Sequence, residues 1–365
     1  MRSRKSRWLP AIVIALAILG AACAAEEEPE DTGAGTGTEG APGADFLACQ
    51  VTDTGGVDDK SFNQTAYAGL QRAEEELGVE IKVLESTSEA DFEPNIQTFI
   101  DQGCDLIVTV GFLLGDATAA AAEANPDQNF AIVDVDFFDA DKGEDVTYDN
   151  VKELTFATDE AAFLAGYLSA GMTESGTLGT FGGINIPPVT IFMNGFQAGM
   201  EHYNSENDAN VALKGWNAEN QNGLFAESFE DLEKGNQLGR QLLDEGADII
   251  MPVAGPVGLG TAEAVRDAGN ASLVWVDTDG CESASEFCDL FLTSVMKNMD
   301  VAVFDAIQEA VEGTFAGGLY TGTLENEGVG IAPYHEFEDE VPDDLKTQID
   351  ELREGIISGE ITVGG

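Results

Sequence analysis

Histidine is nearly absent from this 365-residue chain, which carries only His202 and His335. No Cys-x-x-Cys or His-Glu-x-x-His spacing accompanies them, so no zinc-ligand set is recognisable, and neither a metal nor a cofactor is expected. A Gly-x-Ser-x-Gly elbow and a Walker A sequence are also missing, which removes two common signatures of hydrolytic enzymes. Basic side chains are scarce as well, with 16 Lys and Arg against 68 Asp and Glu. A body that acidic repels nucleic acid and anionic lipid head groups, so no nucleic-acid partner is expected. By the same token, any Lys or Arg inside an apolar pattern stands out.

Long apolar runs are limited to one, Trp8 to Ala22, which is too short to favour a permanent transmembrane helix. It follows Arg2, Arg4, Lys5 and Arg7 and ends in small residues before Cys23, the layout of an export signal. Leu19-Gly20-Ala21-Ala22-Cys23 resembles a bacterial lipobox, with Gly20 where Leu is usual. The expectation is a signal peptide over 1–22 and lipidation of Cys23. Residues 24–44 have no large apolar side chain and cannot offset their ordering entropy, so 23–44 reads as a flexible acidic and Gly-rich tether. The globular part then starts near Asp45, anchored on the extracytoplasmic face of the cell membrane. The four remaining cysteines can oxidise in that compartment. Cys281 and Cys288 share one loop and are expected to pair locally; Cys49 and Cys104 accompany two strands that would be neighbours. Sequence alone permits three connectivities.

What the chain does have is an internal repeat. Residues 101–136 align without a gap on 244–279 and match at 12 of 36 positions, including Gly115/Gly258 and Asp134/Asp277. Each copy reads as strand, Gly-containing turn, Ala-rich helix and strand, with Val-Asp-x-Asp at its end. Around the copies, strand-like and helix-like segments alternate: Phe46–Thr52, Ser61–Leu77 with Ser61 as N-cap, Ile81–Leu84, Phe92–Gln102 and Leu106–Val110, then Phe130–Val135 and Leu154–Ala157. The series continues with Asp159–Met172, Thr177–Phe181, Phe192–Tyr203, Val211–Trp216 and Leu232–Glu245. Lys297–Gly313, Gly328–Ala332 and Asp339–Gly359 follow the second copy. This predicts an α/β protein of two doubly wound parallel-sheet lobes. The expected division is 45–157 plus about 295–318 for the first lobe and 158–294 plus about 319–365 for the second, with three crossings at a hinge.

Ligands of such sheets bind beyond the carboxyl ends of the strands. Asp53 to Asn63 occupies that position in the first lobe, where Gly55 and Gly56 permit close backbone approach, Ser61 offers a hydroxyl and Phe62 a ring. Phe229, expected to begin a helix, takes a comparable position in the second. Two rings closing on a flat heterocycle hold it by stacking, each stack worth roughly 1–3 kcal/mol. Asp134 and Asp277 suit a vicinal diol, because a carboxylate accepts two hydroxyl protons. Lys297 is placed to neutralise them, the alternative being a lysine on a helix surface. The Gly255-Pro-Val-Gly258-Leu-Gly260 turn departs from dinucleotide-binding spacing, but its helix N-terminus suits a polar ligand group.

The segments VTDTGGVDDKSFNQTAYAGLQRA, VTVGFLLGDA, FAIVDVD, GTFGGINIPPVTIFMNGFQAGM, SFEDLEKGNQLG, VAGPVGLGTAEAV, VWVDTD and LTSVMKNMDVAVFDAIQEAVEG occur in this order. Over about Phe46 to Pro333 they resemble the basic membrane protein family, purine-nucleoside-binding lipoproteins of ABC importers. The resemblance implies a type I periplasmic-binding-protein fold with a nucleoside in the cleft. It also implies that Asp53 and Asp134 face the base, that Phe62 and Phe229 sandwich it, and that Asp277 and Lys297 hold the ribose, with Ser61 and Gly255 beside them. Asp136 rivals Asp134, and Phe225 rivals Phe229. The expectation is therefore a monomeric, non-enzymatic nucleoside receptor that serves ABC permease subunits. Binding of a sugar or other small polar metabolite, nucleoside sensing at the surface, and nucleoside hydrolysis are the alternatives.

Overall fold

A computed structural model describes residues 41–139 and 143–363; the expected signal peptide, Cys23 and most of the tether lie outside them. Two six-stranded sheets organise the chain. In the first, the strands run in the order Gly318–Gly322, Val151–Phe156, Asn129–Val133, Leu106–Val110, Leu47–Thr52, Glu80–Leu84. All of these neighbours are parallel. In the second the order is Val329–Ile331, Phe291–Lys297, Ser272–Asp277, Ile249–Val253, Thr177–Gly182, Ala212–Lys214, parallel except for the Val329–Ile331 edge. The central strands are buried throughout, as a continuous apolar run such as Ile249–Val253 requires when helices cover both faces.

The repeat therefore occupies the same place in both lobes. Leu106–Val110 and Ile249–Val253 each lead into a helix, Gly115–Ala124 and Val257–Ala268, and then to the neighbouring strand that ends at the aspartate. Strand order reverses beside the first of these strands in both sheets, which is where an open α/β sheet forms its crevice. Asp53 N–H donates to Val110 O at 3.2 Å and Gly183 N–H donates to Val253 O at 2.8 Å, closing the two crevice floors in the same way.

Several boundaries differ from the sequence expectation. The strand Phe291–Lys297 pairs with Ser272–Asp277 in the second sheet, and Gly318–Gly322 pairs with Val151–Phe156 in the first. The second crossing thus falls at Asn298 rather than near 295, and the third falls after Gly322 rather than near 318. The helix expected from Lys297 starts at Met299, since strand pairing claims the residues before it. The strand expected over Phe130–Val135 ends at Val133, because Asp134 turns into the left-handed region at φ 64°. The crossing segments bind one another: Ala157 N–H to Gly322 O at 2.8 Å and Asn298 N–H to Gly328 O at 2.9 Å.

Disulfides join Cys49 to Cys104 and Cys281 to Cys288. The first ties the Leu47–Thr52 strand to the turn before Leu106–Val110, and the second closes a loop in the second lobe. No helix among the described residues is long and apolar enough to cross a membrane.

Candidate functional site

The first strand ends at Thr52, and the chain then turns through Gly55 and Gly56, both at positive φ, into the helix Phe62–Leu77. Asp59, not Ser61, caps this helix. Its carboxylate accepts the backbone N–H groups of Ser61 at 3.0 Å, Asn63 at 2.8 Å and Gln64 at 3.0 Å. Two carboxylate oxygens serve three orphan donors where a hydroxyl serves one, so the acid wins the cap. Ser61 is left free to reach the other lobe, where its hydroxyl lies 2.7 Å from Asp277 Oδ2 and 3.1 Å from Val276 O. Nearby, the indole N–H of Trp275 donates to Lys60 O at 3.3 Å.

Asp134 and Asp277 follow buried strands of the duplicated units, and both are left-handed, at φ 64° and 70°. Aspartate tolerates that region better than most residues, and the turn aims its carboxylate out of the sheet. Lys297 ends its own strand and is only 2 % exposed, so it is not a helix-surface lysine. Its Nζ lies 2.5 Å from Asp134 Oδ2 and 3.5 Å from Asp277 Oδ1, with the Phe62 ring centroid at 4.8 Å. One ammonium thus bridges equivalent aspartates of the two lobes. Burial by itself would lower the lysine's pKa, but the two carboxylates outweigh it and hold it above the ordinary value, so Lys297 is charged.

These groups share one cavity. Asp53, Phe62, Asp134, Phe229, Gly255, Asp277 and Lys297 all line it; Ser61 lies behind, against Asp277. Asp136 and Phe225 are not in the lining. Asp136 is exposed, and Phe225 packs edge-on against Trp216 with centroids 6.0 Å apart. Phe229 sits in the loop before the helix Leu232–Asp244 rather than beginning it, because Asp231 takes the cap by accepting Lys234 N–H. The ring lies directly over Gly183, where a Cβ would fall 2.3 Å from it.

Sequence reasoning missed Asp59, Asn63, Gly111 and the apolar wall of Ile186, Pro188, Val189 and Phe192. Asp59 was legible as an acid just ahead of a helix; the wall carries no signal beyond ordinary hydrophobicity. Among the described lining residues four carboxylates face one ammonium, from Lys297. Burial drives Asp53 up to about 8, partly relieved by its bond from Asn63 and reinforced by the charge of Asp59. Asp59 rises to about 6 through the same desolvation, opposed by its three backbone donors. Outside the cavity, Asp279, Cys281 and His335 could gather round a metal, but the Cys281 sulfur is committed to its disulfide.

A crevice between two doubly wound lobes joined by three crossings, lined by side chains from both, defines a type I solute-binding protein. The chain belongs to the PnrA-like ABC transporter substrate-binding protein family, called Bmp, whose model matches residues 46–365. It is similar to an ABC transporter nucleoside-binding protein, BmpA, of Lactococcus lactis, at 32 % identity over 90 % of this chain and 92 % of that one. A CD4+ T-cell-stimulating antigen of Listeria innocua is 29 % identical over 100 % of this chain and 99 % of its own. Among solved structures, an ABC transporter solute-binding protein of Aeropyrum pernix superposes with a TM-score of 0.76 at 27 % identity, covering 87 % of this chain and 92 % of that one.

Proposed function

We propose that this protein captures a purine nucleoside between its lobes and presents it to the permease of an ABC importer, making and breaking no bond itself. One observation carries the reading: Phe62 of the first lobe and Phe229 of the second line one cavity whose polar groups are the Asp134–Lys297–Asp277 bridge and Asp53. Two aromatic faces suit a flat base, and carboxylates with a lysine suit a vicinal diol. The name of the Lactococcus lactis relative supports the same ligand class. Asp53 and Asp134 are assigned to the base, and Asp277 and Lys297 to the ribose, with Ser61 and Gly255 adjoining. Asp134 is also bound to Lys297, so a base contact at Asp134 shares that carboxylate with the lysine.

Delivery requires a location outside the cytoplasm. We assign Cys23 as the lipidated residue after removal of 1–22, with the receptor acting as a monomer at the membrane and the tether ending near residue 40 rather than 44, because Gly43 is buried and donates its N–H to Leu77 O at 2.9 Å. Radiolabelled palmitate is expected to enter the wild-type chain and not Cys23→Ser.

Thermal unfolding with a panel of nucleosides, free bases and sugars tests the ligand class. At a hundred times its dissociation constant, a nucleoside is expected to add about 2.7 kcal/mol, with free bases and sugars well below it. Stabilisation by ribose or glucose and not by any nucleoside would sink the reading, and release of free base would make the protein a hydrolase.

A further inference from the structure

One cluster of metal-binding side chains lies outside the cavity, in the second lobe. Asp279, Cys281 and His335 each offer a ligand atom, and these atoms lie within 4.8 Å of one another. Cys288 adds a fourth, because its sulfur is bonded to that of Cys281. The carboxylate is held in place: Asp279 Oδ1 accepts Cys281 N–H at 2.9 Å, and Oδ2 lies 2.7 Å from His335 Nε2. His335 reaches it from a backbone at φ 45°, in the left-handed region that residues with a Cβ rarely adopt. The histidine stands 56 residues beyond Asp279, so no local spacing betrays the set.

The frame around the cluster does not depend on the disulfide. Glu282 and Ser283 N–H donate to Asp279 O at 3.1 and 3.0 Å, and Gly280 N–H donates to Ser294 Oγ at 3.0 Å. At the other end Phe287 is buried, with the Arg266 guanidinium 4.0 Å from its ring centroid. Opening the disulfide leaves both anchors, and two sulfurs on one tetrahedral zinc need stand only about 3.8 Å apart. Both cysteines are partly exposed, so a reductant reaches them.

We propose that Asp279, Cys281, Cys288 and His335 form a zinc site that becomes available when the Cys281–Cys288 disulfide is reduced. A dithiol supplies the two electrons and two protons, leaves as its own disulfide, and yields the Cys281 and Cys288 thiols. Zinc then displaces the two thiol protons to solvent and binds both thiolates, the His335 imidazole and the Asp279 carboxylate. Two sulfurs and an imidazole select zinc over magnesium or calcium, which take oxygen ligands. Exposed Glu282, Glu286 and Asp289 on the same loop concentrate cations there. Cys49 and Cys104 are buried among apolar side chains, so reducing them creates no comparable site.

Cobalt titration of the full chain tests this, once as oxidised protein and once after reduction by a dithiol that is then removed without air. The reduced wild type is expected to bind one cobalt per chain, with a thiolate-to-cobalt charge-transfer band and the intense visible bands of a tetrahedral site, and to exchange it for zinc. The oxidised chain is expected to show neither band. The same holds for the reduced Cys281→Ser/Cys288→Ser variant, which controls for Cys23 and the buried pair. Reduced His335→Ala keeps both thiols and is expected to hold zinc at least about tenfold more weakly. Equal zinc affinity in wild type and His335→Ala would reduce the site to a bare dithiol chelate and overturn it. So would a missing thiolate band in the reduced wild type, or the same spectrum from the oxidised chain or the double variant. Should His335→Ala fail to fold, X-ray absorption of the reduced, zinc-loaded wild type decides: sulfur at about 2.3 Å with an imidazole nitrogen at about 2.0 Å supports the site, and sulfur without imidazole overturns it.

Discussion

The Ser61 hydroxyl donates to Asp277 Oδ2 at 2.7 Å across 216 residues of sequence, from the first lobe to the second. Together with the Trp275 indole bound to Lys60 O, it pins the turn after the first strand to the end of the second repeat. The two lobes are thus joined by hydrogen bonds of their own as well as by the chain crossings.

Ser61→Ala removes one such bond while leaving Asp277 beside Lys297. A net loss of about 1 kcal/mol in stability is expected, read as a lower urea midpoint at unchanged slope. Small-angle scattering should show a larger ligand-free radius of gyration than in the wild type.

Lys297→Met is expected to be far more damaging. It strands Asp134 and Asp277 without their shared counter-ion, and breaking a buried pair from one side costs about 3–5 kcal/mol. The loss should shrink as pH falls and Asp134, whose carboxyl burial pushes above the ordinary value, takes up its proton, a recovery that urea titrations at pH 7 and pH 5 would reveal.

Asp53 and Asp59 give the protein a pH dependence of definite sign. Their folded-state values, about 8 and about 6, lie above the ordinary 3.8. Between those limits the folded state binds more protons than the unfolded one, so their contribution is fully present below about pH 4 and is lost as pH rises, Asp59's by about 6 and Asp53's by about 8. Asp53→Asn, which keeps an acceptor for Asn63, is expected to flatten the decline between pH 6 and 8. Denaturation midpoints at constant ionic strength measure it, and an unchanged slope would count against Asp53 as its source.

Gly183→Ala tests the second aromatic wall without touching a polar group. The added methyl must displace the Phe229 ring, and nucleoside affinity is expected to fall by the roughly 1–3 kcal/mol of one lost stack. Titration of the variant with the best-bound nucleoside gives the number.

Much of this arrangement was legible in the sequence. The repeat exposed Asp134 and Asp277 because strand periodicity places their side chains at equivalent strand ends, and Lys297 stood out because cations are so rare in the chain. Local competition was not legible. Ser61 and Asp59 both suit a helix cap; the acid takes it with two oxygens, and the hydroxyl goes to Asp277 of the other lobe, a partner that no local spacing reveals. Strand length was misjudged at Val133 for a related reason: hydropathy continues through Val135, while the backbone has already turned at Asp134.

The lysine that joins the two duplicated aspartates has consequences for how the molecule can be divided. Asp134 and its sheet lie on one side of the hinge, and Asp277 and Lys297 on the other. The first half expressed alone would keep a buried acid without its ammonium, and the second a lysine with one of its two carboxylate partners. A split version should therefore regain binding only when both pieces are mixed.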